Sequence, residues 1–295
     1  MIRSTLVPAI RQTLFRCWPV HFGLETLMGV LDPPVPSEDI VVRKLSGFPL
    51  ELGFNPNTYQ GRFLYHRGMY EEAVIKKLSR MLKPGMTFVD VGANIGLYSI
   101  VAGYLVGHAG KVVAVEPQSV LKDVLEDNVR RNRLFNVRVE SVALGSANCS
   151  GRLFQMSETD DGRATLKLCT SESFVGKPAE VAVRRLDDVL ASLSIGTVHG
   201  VKVDVEGAEL EVLQGFSHLL EAEAPLFILF ECHDDLLKRF GTSSRQLVSF
   251  LQRFGYRVLS LARGRWRPIE RRLGWGKGSF HADCLAISDR GFTSA

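Results

Sequence analysis

From residue 70 onward, short apolar runs alternate with longer stretches whose apolar positions recur at helical spacing. Residues 225–232 are apolar almost throughout, which is typical of a strand buried on both faces of a sheet. Strands that alternate with helices predict an α/β fold built on a doubly wound sheet. The predicted strands are residues 86–91, 111–116, 137–144, 200–205, 225–232, 256–261 and 280–287. The predicted helices are residues 70–82, 96–106, 120–133, 186–193, 209–220 and 244–254.

The first 65 residues follow a different pattern and are predicted to form a separate region, with residues 66–295 as the main domain. An apolar stripe interrupted by arginines predicts an N-terminal helical arm, and residues 40–66 predict short strands or an irregular lid. The stripe could lie on a membrane surface. It could also pack on its own domain or on a second subunit of a homo-oligomer, which we expect because helical stripes usually face protein. The stripe consists of Ile2, Leu6, Ile10, Leu14 and Trp18.

Composition limits the classes of protein that fit this 295-residue chain. A hydrophobic content of 45% is ordinary for a globular protein, and a net charge of +4 is too small to indicate nucleic-acid binding. The five cysteines form no C-x-x-C pair, so neither a disulfide framework nor a zinc site is expected. No apolar run approaches the roughly 20 residues of a membrane helix. A cytoplasmic protein is the expectation.

A glycine-containing loop follows the first predicted strand and carries the clearest chemical signal. Gly92 and Gly96 bracket the loop, which predicts a strand, a turn and a helix that bind a nucleotide-like cofactor. Asp90 precedes the first glycine, and Asn94 occupies the middle-glycine position of a dinucleotide fingerprint. A carboxylate there would repel a pyrophosphate and attract a cation. S-adenosylmethionine, which carries an ammonium and a sulfonium but no phosphate, is therefore the predicted cofactor.

Glu116 ends the second predicted strand, roughly 20 residues after the glycine loop, where an acid pairs with ribose hydroxyls. An isolated acid at a strand end would be an ordinary surface residue. Its spacing from Asp90, Gly92 and Gly96 favours a role in cofactor binding.

Acidic groups also gather at the ends of the fourth and fifth predicted strands, which parallel topology places at one edge of the sheet. Asp204 and Glu206 follow the fourth strand, and Glu231 and His233 share a face at the end of the fifth. We predict these four as catalytic residues, with His233 as the base that takes a proton from an acceptor hydroxyl. A surface or helix-capping role for His233 remains an alternative.

A divalent metal such as magnesium is a second alternative for activating the hydroxyl. Its hard oxygen ligands would be Asp187, Asp204, Glu206 and Glu231. No compact ligand motif requires this, so the prediction assigns no metal ligand.

The motifs around these residues resemble the FkbM family of methyltransferases over roughly residues 65–288. The resemblance is carried by residues 88–99, 112–117, 186–188 and 201–209, with Asn128, Asn132, 212–213 and Gly215. It implies a class I, Rossmann-like methyltransferase fold, with a seven-stranded sheet covered by helices on both faces. It also implies methylation of a hydroxyl on a sugar, glycan or natural-product acceptor. By this resemblance Asp90, Gly92, Asn94, Gly96 and Glu116 bind S-adenosylmethionine, and Asp204 and Glu206 lie beside the sulfonium and the acceptor.

Three other functions remain open at this point. A nucleic-acid or protein methyltransferase could share the fold, but the chain has residues 204–207 where amine-directed enzymes carry an N-P-P-Tyr-like turn, and it lacks a basic stripe. A dinucleotide dehydrogenase disagrees with Asp90 and the missing middle glycine. A non-catalytic binding module would keep the fold without needing the acids.

The region 263–278 could offer Trp266 and Trp275 to a sugar ring or form a hairpin on the sheet, which is the expectation.

Overall fold

The computed structural model describes residues 34–156, 164–166, 174–222, 225–271 and 280–288. The apolar stripe between Ile2 and Trp18 and the second tryptophan, Trp275, lie outside the described residues. Among the described helices, none is both long enough and apolar enough to cross a membrane.

The described chain begins with a small hairpin and two helices. Glycine ends the first helix, because Gly68 adopts a left-handed φ of 69°, and Thr58 caps its start by accepting the amide of Gly61 at 3.1 Å. This helix was not predicted, since its aromatic residues and Gly61 give no clear amphipathic stripe. The elements are β1 (Val41–Lys44), β2 (Glu51–Phe54), α1 (Tyr59–Arg67) and α2 (Glu72–Met81).

Strands and helices then alternate as the apolar pattern predicts. The first group is β3 (Thr87–Val91), α3 (Leu97–Val106), β4 (Lys111–Val115), α4 (Ser119–Arg131) and β5 (Val137–Glu140). A strand-rich group follows: β6 (Ala143–Leu144), β7 (Cys149–Gln155), β8 (Ala164–Thr165) and β9 (Val175–Arg184). The third group is α5 (Leu186–Ser192), β10 (Gly200–Val203), α6 (Glu209–Gln214), α7 (Ser217–Ala222), β11 (Phe227–His233) and α8 (Asp234–Arg239). The last is α9 (Ser244–Arg253), β12 (Tyr256–Ala262), β13 (Arg265–Pro268) and β14 (His281–Ser288).

The main sheet has the strand order β13-β12-β14-β11-β10-β3-β4-β5. The five strands from β11 to β5 run parallel, and β14 runs antiparallel between β11 and β12. Apolar clusters cover both faces of the sheet, one including α5, α6 and α9 and the other including α2, α3 and the β1–β2 hairpin. This is the class I methyltransferase architecture implied by the resemblance, so the predicted fold class is confirmed.

The sheet gains an eighth strand from the region after residue 262. Strand β13 pairs with β12, where Trp266 lies opposite Leu261. Trp266 is partly buried and packs against the apolar cluster on that side. For Trp266, the expectation of a hairpin packed on the sheet is therefore correct. The sheet has eight strands among the described residues, one more than the predicted seven.

Two predicted elements are divided in the structure. The predicted strand at residues 137–144 ends at Glu140, because Ala143 and Leu144 leave the main sheet and pair with β9 in a four-stranded side sheet. The predicted helix at residues 209–220 breaks at Gly215. A Cβ on that glycine would lie 2.1 Å from the carbonyl oxygen of Gly145, so the break brings two backbones into contact that only glycine permits.

Candidate active site

A cavity of about 660 Å³ opens at the carboxyl ends of the parallel strands, where ligands bind in sheets of this type. The segment at residues 59–74 covers one side of it. We call the part lined by Gly92, Asn94, Glu116, Val142 and Leu144 the β3–β4 half. We call the part lined by Glu71, Asp204, Glu231, His281 and Asp283 the β11–β14 half.

The glycine loop between β3 and α3 forms one wall of the β3–β4 half. Gly92 has a φ of +75°, and a Cβ there would lie 1.8 Å from the carbonyl oxygen of Asp204. Gly96 has a φ of +92°, and Asn94 is also left-handed at 52°. The loop is thus held in a conformation that brings its backbone close to the cavity and to the turn after β10.

Asp90 is fully buried at the end of β3. The hydroxyl of Ser99 donates to its Oδ2 at 2.6 Å, while its Oδ1 has no hydrogen-bond partner among the described residues. Burial raises the pKa of Asp90, opposed by the charge of Lys202 and by the bond from Ser99. A buried acceptor without a donor is costly. Asp90 is not among the described residues that line the cavity, so it supports the glycine loop from behind the cavity wall.

Glu116 is buried at the end of β4 and ties two loops together. The backbone amides of Asn94 and Gln118 donate to its Oε2 and Oε1, each at 2.9 Å. Burial raises the pKa of Glu116 to about 7, although these two amide donors lower it. Each carboxylate oxygen can accept a further hydrogen bond, which gives Glu116 the capacity to hold two hydroxyls.

The end of β10 supplies an ion pair to the cavity wall, in which Lys202 is buried and Asp204 is partly exposed. Lys202 Nζ lies 2.9 Å from Asp204 Oδ2 and 4.6 Å from the ring centroid of Tyr98. Burial would lower the pKa of Lys202. The carboxylates of Asp204, Asp90 and Glu71 outweigh burial and raise it, so the ammonium stays charged.

Glu71 reaches the same cluster from the start of α2. The hydroxyl of Tyr98 donates to Glu71 Oε2 at 2.5 Å. Burial raises the pKa of Glu71 to about 8, and Asp283 and Asp204 add to the shift, while Lys202 opposes it.

Three aromatic rings from the covering segment also line the cavity, and they contact one another edge to face. The ring centroids of Tyr59 and Phe63 lie 5.2 Å apart, and that of Tyr70 lies 6.2 and 5.6 Å from them. The cavity therefore combines a carboxylate-rich floor with an aromatic wall.

The two glutamates near the turn after β10, Glu206 and Glu209, have different surroundings. Glu206 lines the cavity and has a left-handed φ of 54°. Glu209 is buried and accepts the backbone amides of Val205 and Gly207 at 3.2 and 3.1 Å. Burial raises the pKa of Glu209 to about 8, opposed by these donors. Glu209 thus holds the turn that presents Asp204 and Glu206.

His233, which the sequence predicted as the base, lies at the start of α8. His233 Nδ1 accepts the backbone amide of Leu236 at 3.3 Å and caps α8, which is the capping role left open above. His233 is not among the described residues that line the cavity. Its ring instead contacts the ring of His281 edge to face, with centroids 4.2 Å apart.

Two residues that the sequence did not single out lie in the cavity on β14. His281 Nε2 lies 3.1 Å from Glu231 Oε1, and Asp283 pairs in register with Glu231 across β11 and β14. The apolar run at residues 280–287 predicted the strand. Its register against β11, which places His281 and Asp283 beside Glu231, was not encoded in any local pattern.

The structure does not bring the four proposed metal ligands together. Asp187 accepts a hydrogen bond from Arg185 at 2.8 Å and from the backbone amides of His218 and Leu219 at the start of α7. It does not line the cavity that contains Asp204, Glu206 and Glu231. In the described part of the chain, no group of three or more histidine, cysteine or acidic side chains is placed to hold a metal ion.

Comparison with known proteins identifies the type of domain. The family model for the methyltransferase FkbM domain matches residues 90–258. The 31-O-demethyl-FK506 methyltransferase FkbM of Streptomyces tacrolimicus is 28% identical over 232 residues, which cover 69% of this chain and 85% of that protein. The AMB antimetabolite synthetase AmbE of Pseudomonas aeruginosa is 26% identical over 241 residues, or 68% of this chain.

The chain spans 11% of the length of AmbE, so its match lies within a much longer protein. Among solved structures, methyltransferase FkbM from Methylobacillus flagellatus aligns with a TM-score of 0.43 and 13% identity. That alignment covers 97% of this chain and 59% of the other.

Proposed function

The chain belongs to the FkbM methyltransferase family, and from this premise we propose that it transfers the methyl group of S-adenosylmethionine to a hydroxyl of a small-molecule or glycan acceptor. The observation that carries the proposal is one continuous cavity in which the glycine loop and Glu116 lie at one end and a carboxylate-rich floor lies at the other.

The residues of the β3–β4 half fit the cofactor. Glu116 retains acceptor capacity for ribose hydroxyls, and Asp90, buried beside the cavity, carries an unsatisfied oxygen. Val142 and Leu144 give this half an apolar lining suited to an adenine ring. The acids Asp204 and Glu206 suit a cationic molecule and would repel a pyrophosphate.

Transfer needs the acceptor oxygen, the methyl carbon and the sulfur in line, and it needs a place for the hydroxyl proton. When bound, S-adenosylmethionine supplies an electrophilic methyl group on a positively charged sulfur. Lys202 holds Asp204 in place in the β11–β14 half, so the charge of Asp204 would favour the sulfonium and would help to orient the cofactor. Glu206 and Glu231 line the same space and would orient the acceptor.

The residues of the β11–β14 half support the proposed acceptor class. Carboxylates there accept hydrogen bonds from hydroxyls, and the rings of Tyr59, Phe63 and Tyr70 offer an apolar wall to the face of a sugar or macrocycle. The same carboxylates would repel a phosphate backbone, so we do not expect a nucleic-acid acceptor. The name of the Streptomyces tacrolimicus relative, which specifies O-demethyl-FK506 as its substrate, adds support for a natural-product hydroxyl.

A labelled-methyl transfer assay tests the proposal. Purified protein is incubated with S-adenosylmethionine carrying a ¹⁴C-methyl group and a panel of methyl glycosides and macrolide-type secondary alcohols. We expect base-stable ether products and S-adenosylhomocysteine, with no label in parallel samples of RNA or protein. Label found in RNA or protein, and in none of the alcohols, would overturn the hydroxyl acceptor.

The other predictions remain proposals of the same kind. The reaction would need no metal, and adding EDTA to the same assay tests this. Residues 1–65 would form an arm and lid on a domain at residues 66–295. The arm could mediate a homo-oligomer, which light scattering would detect. It could instead contact a membrane surface, which sedimentation with lipid vesicles would detect.

A further inference from the structure

We propose that Asp283 is the group that accepts the proton of the acceptor hydroxyl during methyl transfer. The inference rests on the proposed function and names a residue of the β11–β14 half that no sequence motif singled out. Asp283 lines the main cavity and also a smaller adjoining one of about 20 Å³.

Asp283 is distinguished from its neighbours by its hydrogen bonding. Asp204 is held by Lys202 at 2.9 Å, and Glu71 receives the Tyr98 hydroxyl at 2.5 Å. Glu231 is paired with His281 at 3.1 Å. The carboxylate of Asp283 accepts no hydrogen bond within the described part of the chain, although the residue is half-buried at the cavity wall. A carboxylate without a donor is available to take a proton from a bound hydroxyl.

The placement of Asp283 is costly to the fold. It lies directly opposite Glu231 across the antiparallel pair of β11 and β14, and like charges in that arrangement destabilise a sheet. A pair of acids facing one cavity from neighbouring strands is the kind of arrangement found where a function requires it.

Titratable groups from β10, β11, β14 and the covering segment interact with Asp283. Burial raises its pKa to about 6, the carboxylates of Glu231 and Asp204 add to the shift, and His281 and Lys202 oppose it. Glu71 and Tyr70 from the covering segment and Tyr98 from α3 also interact electrostatically with Asp283. A carboxylate that titrates near pH 6 is ionised at neutral pH, yet it is a stronger base than an ordinary aspartate.

The chemical step balances with these groups. The acceptor oxygen forms a bond to the methyl carbon as the carbon–sulfur bond breaks, and the bonding electrons remain on sulfur, giving S-adenosylhomocysteine. The hydroxyl proton passes to a carboxylate oxygen of Asp283 and then to solvent.

The first test compares Asp283→Asn with Asp235→Asn, an exposed acid of α8 outside the cavity. With the best acceptor of the labelled-methyl panel, we expect Asp283→Asn to lower kcat by on the order of 10²-fold or more. Its affinity for S-adenosylhomocysteine by calorimetry should be unchanged, and Asp235→Asn should match the wild type. In the wild type kcat should rise with pH through about 6 because ionised Asp283 is the base, and Asp283→Asn should lose this limb. Full turnover with the limb retained would overturn the assignment.

A second readout does not depend on the acceptor. Aspartate carboxyl carbons labelled with ¹³C are followed by NMR in the complex with S-adenosylhomocysteine, and the Asp283 signal is assigned by its absence in Asp283→Asn or Asp283→Ala. We expect a midpoint near pH 6, and a midpoint near the ordinary value for aspartate would overturn the proposal. In Asp283→Ala, sodium formate should restore part of the turnover. If the wild type methylated no alcohol of the panel, the proposed function would fail, while the titration would still decide whether Asp283 is poised as a base.

Discussion

The backbones of Gly92 and Asp204 lie so close together that no side chain fits at position 92. A Cβ on Gly92 would lie 1.8 Å from the carbonyl oxygen of Asp204. The contact joins the glycine loop after β3 to the acidic turn after β10, so one backbone approach sets the spacing between the two halves of the cavity. The loop glycine is therefore required by packing as well as by its left-handed φ.

Gly92→Ala should unfold this junction, and Gly85→Ala provides the matched control. Both glycines have a left-handed φ, +75° and +85°, but a Cβ at Gly85 meets nothing within 4 Å. Gly85→Ala should cost about 1–2 kcal/mol of unfolding free energy from backbone strain alone. Gly92→Ala should cost more and also weaken binding of S-adenosylmethionine. Urea denaturation and calorimetry measure the two effects, and equal behaviour of the variants would contradict the contact.

Asn128 links the hairpin to the cofactor loop, and replacing it should affect both stability and binding. Its side chain bonds both backbone groups of Gly53 at 2.7 and 3.0 Å and donates to the carbonyl of Ile95 at 2.8 Å. At about 1 kcal/mol per hydrogen bond, Asn128→Ala should cost on the order of 2–3 kcal/mol.

Asn132→Ala is the control for this prediction. Asn132 bonds both backbone groups of Glu51 but not the cofactor loop. The Asn132→Ala variant should therefore have a lower unfolding free energy and an unchanged affinity for S-adenosylmethionine. A loss of affinity in both variants, or in neither, would contradict the link through Ile95.

The pH dependence of stability should reflect Glu209. Its pKa is raised to about 8 in the folded protein, above its ordinary value, because burial disfavours the charge. A raised pKa in an acid means that the folded state favours the protonated form. The stability that this contributes is present below the ordinary pKa of glutamate and is lost as the pH rises through about 8. Between pH 5 and 9, the melting temperature of Glu209→Gln should fall less than that of the wild type, and parallel curves would contradict this.

Cofactor binding should release protons at pH 7. The pKa of Glu116 is raised to about 7 and that of Glu71 to about 8, so both carry protons in part of the population. A cation in the cavity favours their ionised forms. Calorimetry in phosphate and in Tris reports the number of protons released. S-adenosylhomocysteine, which lacks the sulfonium charge, should release fewer than S-adenosylmethionine, and an equal release would contradict electrostatic recognition.

The sequence predicted those parts of the fold that rest on local patterns. Alternating apolar runs predicted every strand of the main sheet except β13, because its residues Arg265–Pro268 are mostly polar. The glycine loop and Glu116 were predicted from spacing alone, and the structure brings Gly92, Asn94 and Glu116 to the cavity wall. Asp90 is fully buried beside them and does not line the cavity. Helix α1 was missed because its apolar residues form no regular stripe.

Which residues line the β11–β14 half depends on the register of its strands, and no local sequence pattern determines that register. His233 and Glu231 alternate on β11, so sequence placed them together, yet the Nδ1 of His233 caps α8. His281 and Asp283 reach the cavity because β14 pairs with β11 in one register of several that the apolar run would allow. Predicting them requires the packing of the whole sheet.

Calorimetry of S-adenosylmethionine binding tests the central claim most directly. The protein is compared with Asp90→Asn and Glu116→Ala, and with Glu140→Ala, an acid at the end of the neighbouring strand that lies outside the cavity. We predict that Glu140→Ala binds like the wild type, while Asp90→Asn and Glu116→Ala lose about tenfold or more in affinity, equivalent to about 1.4 kcal/mol. Affinity unchanged in Asp90→Asn and Glu116→Ala, or no binding by the wild type, would contradict the account.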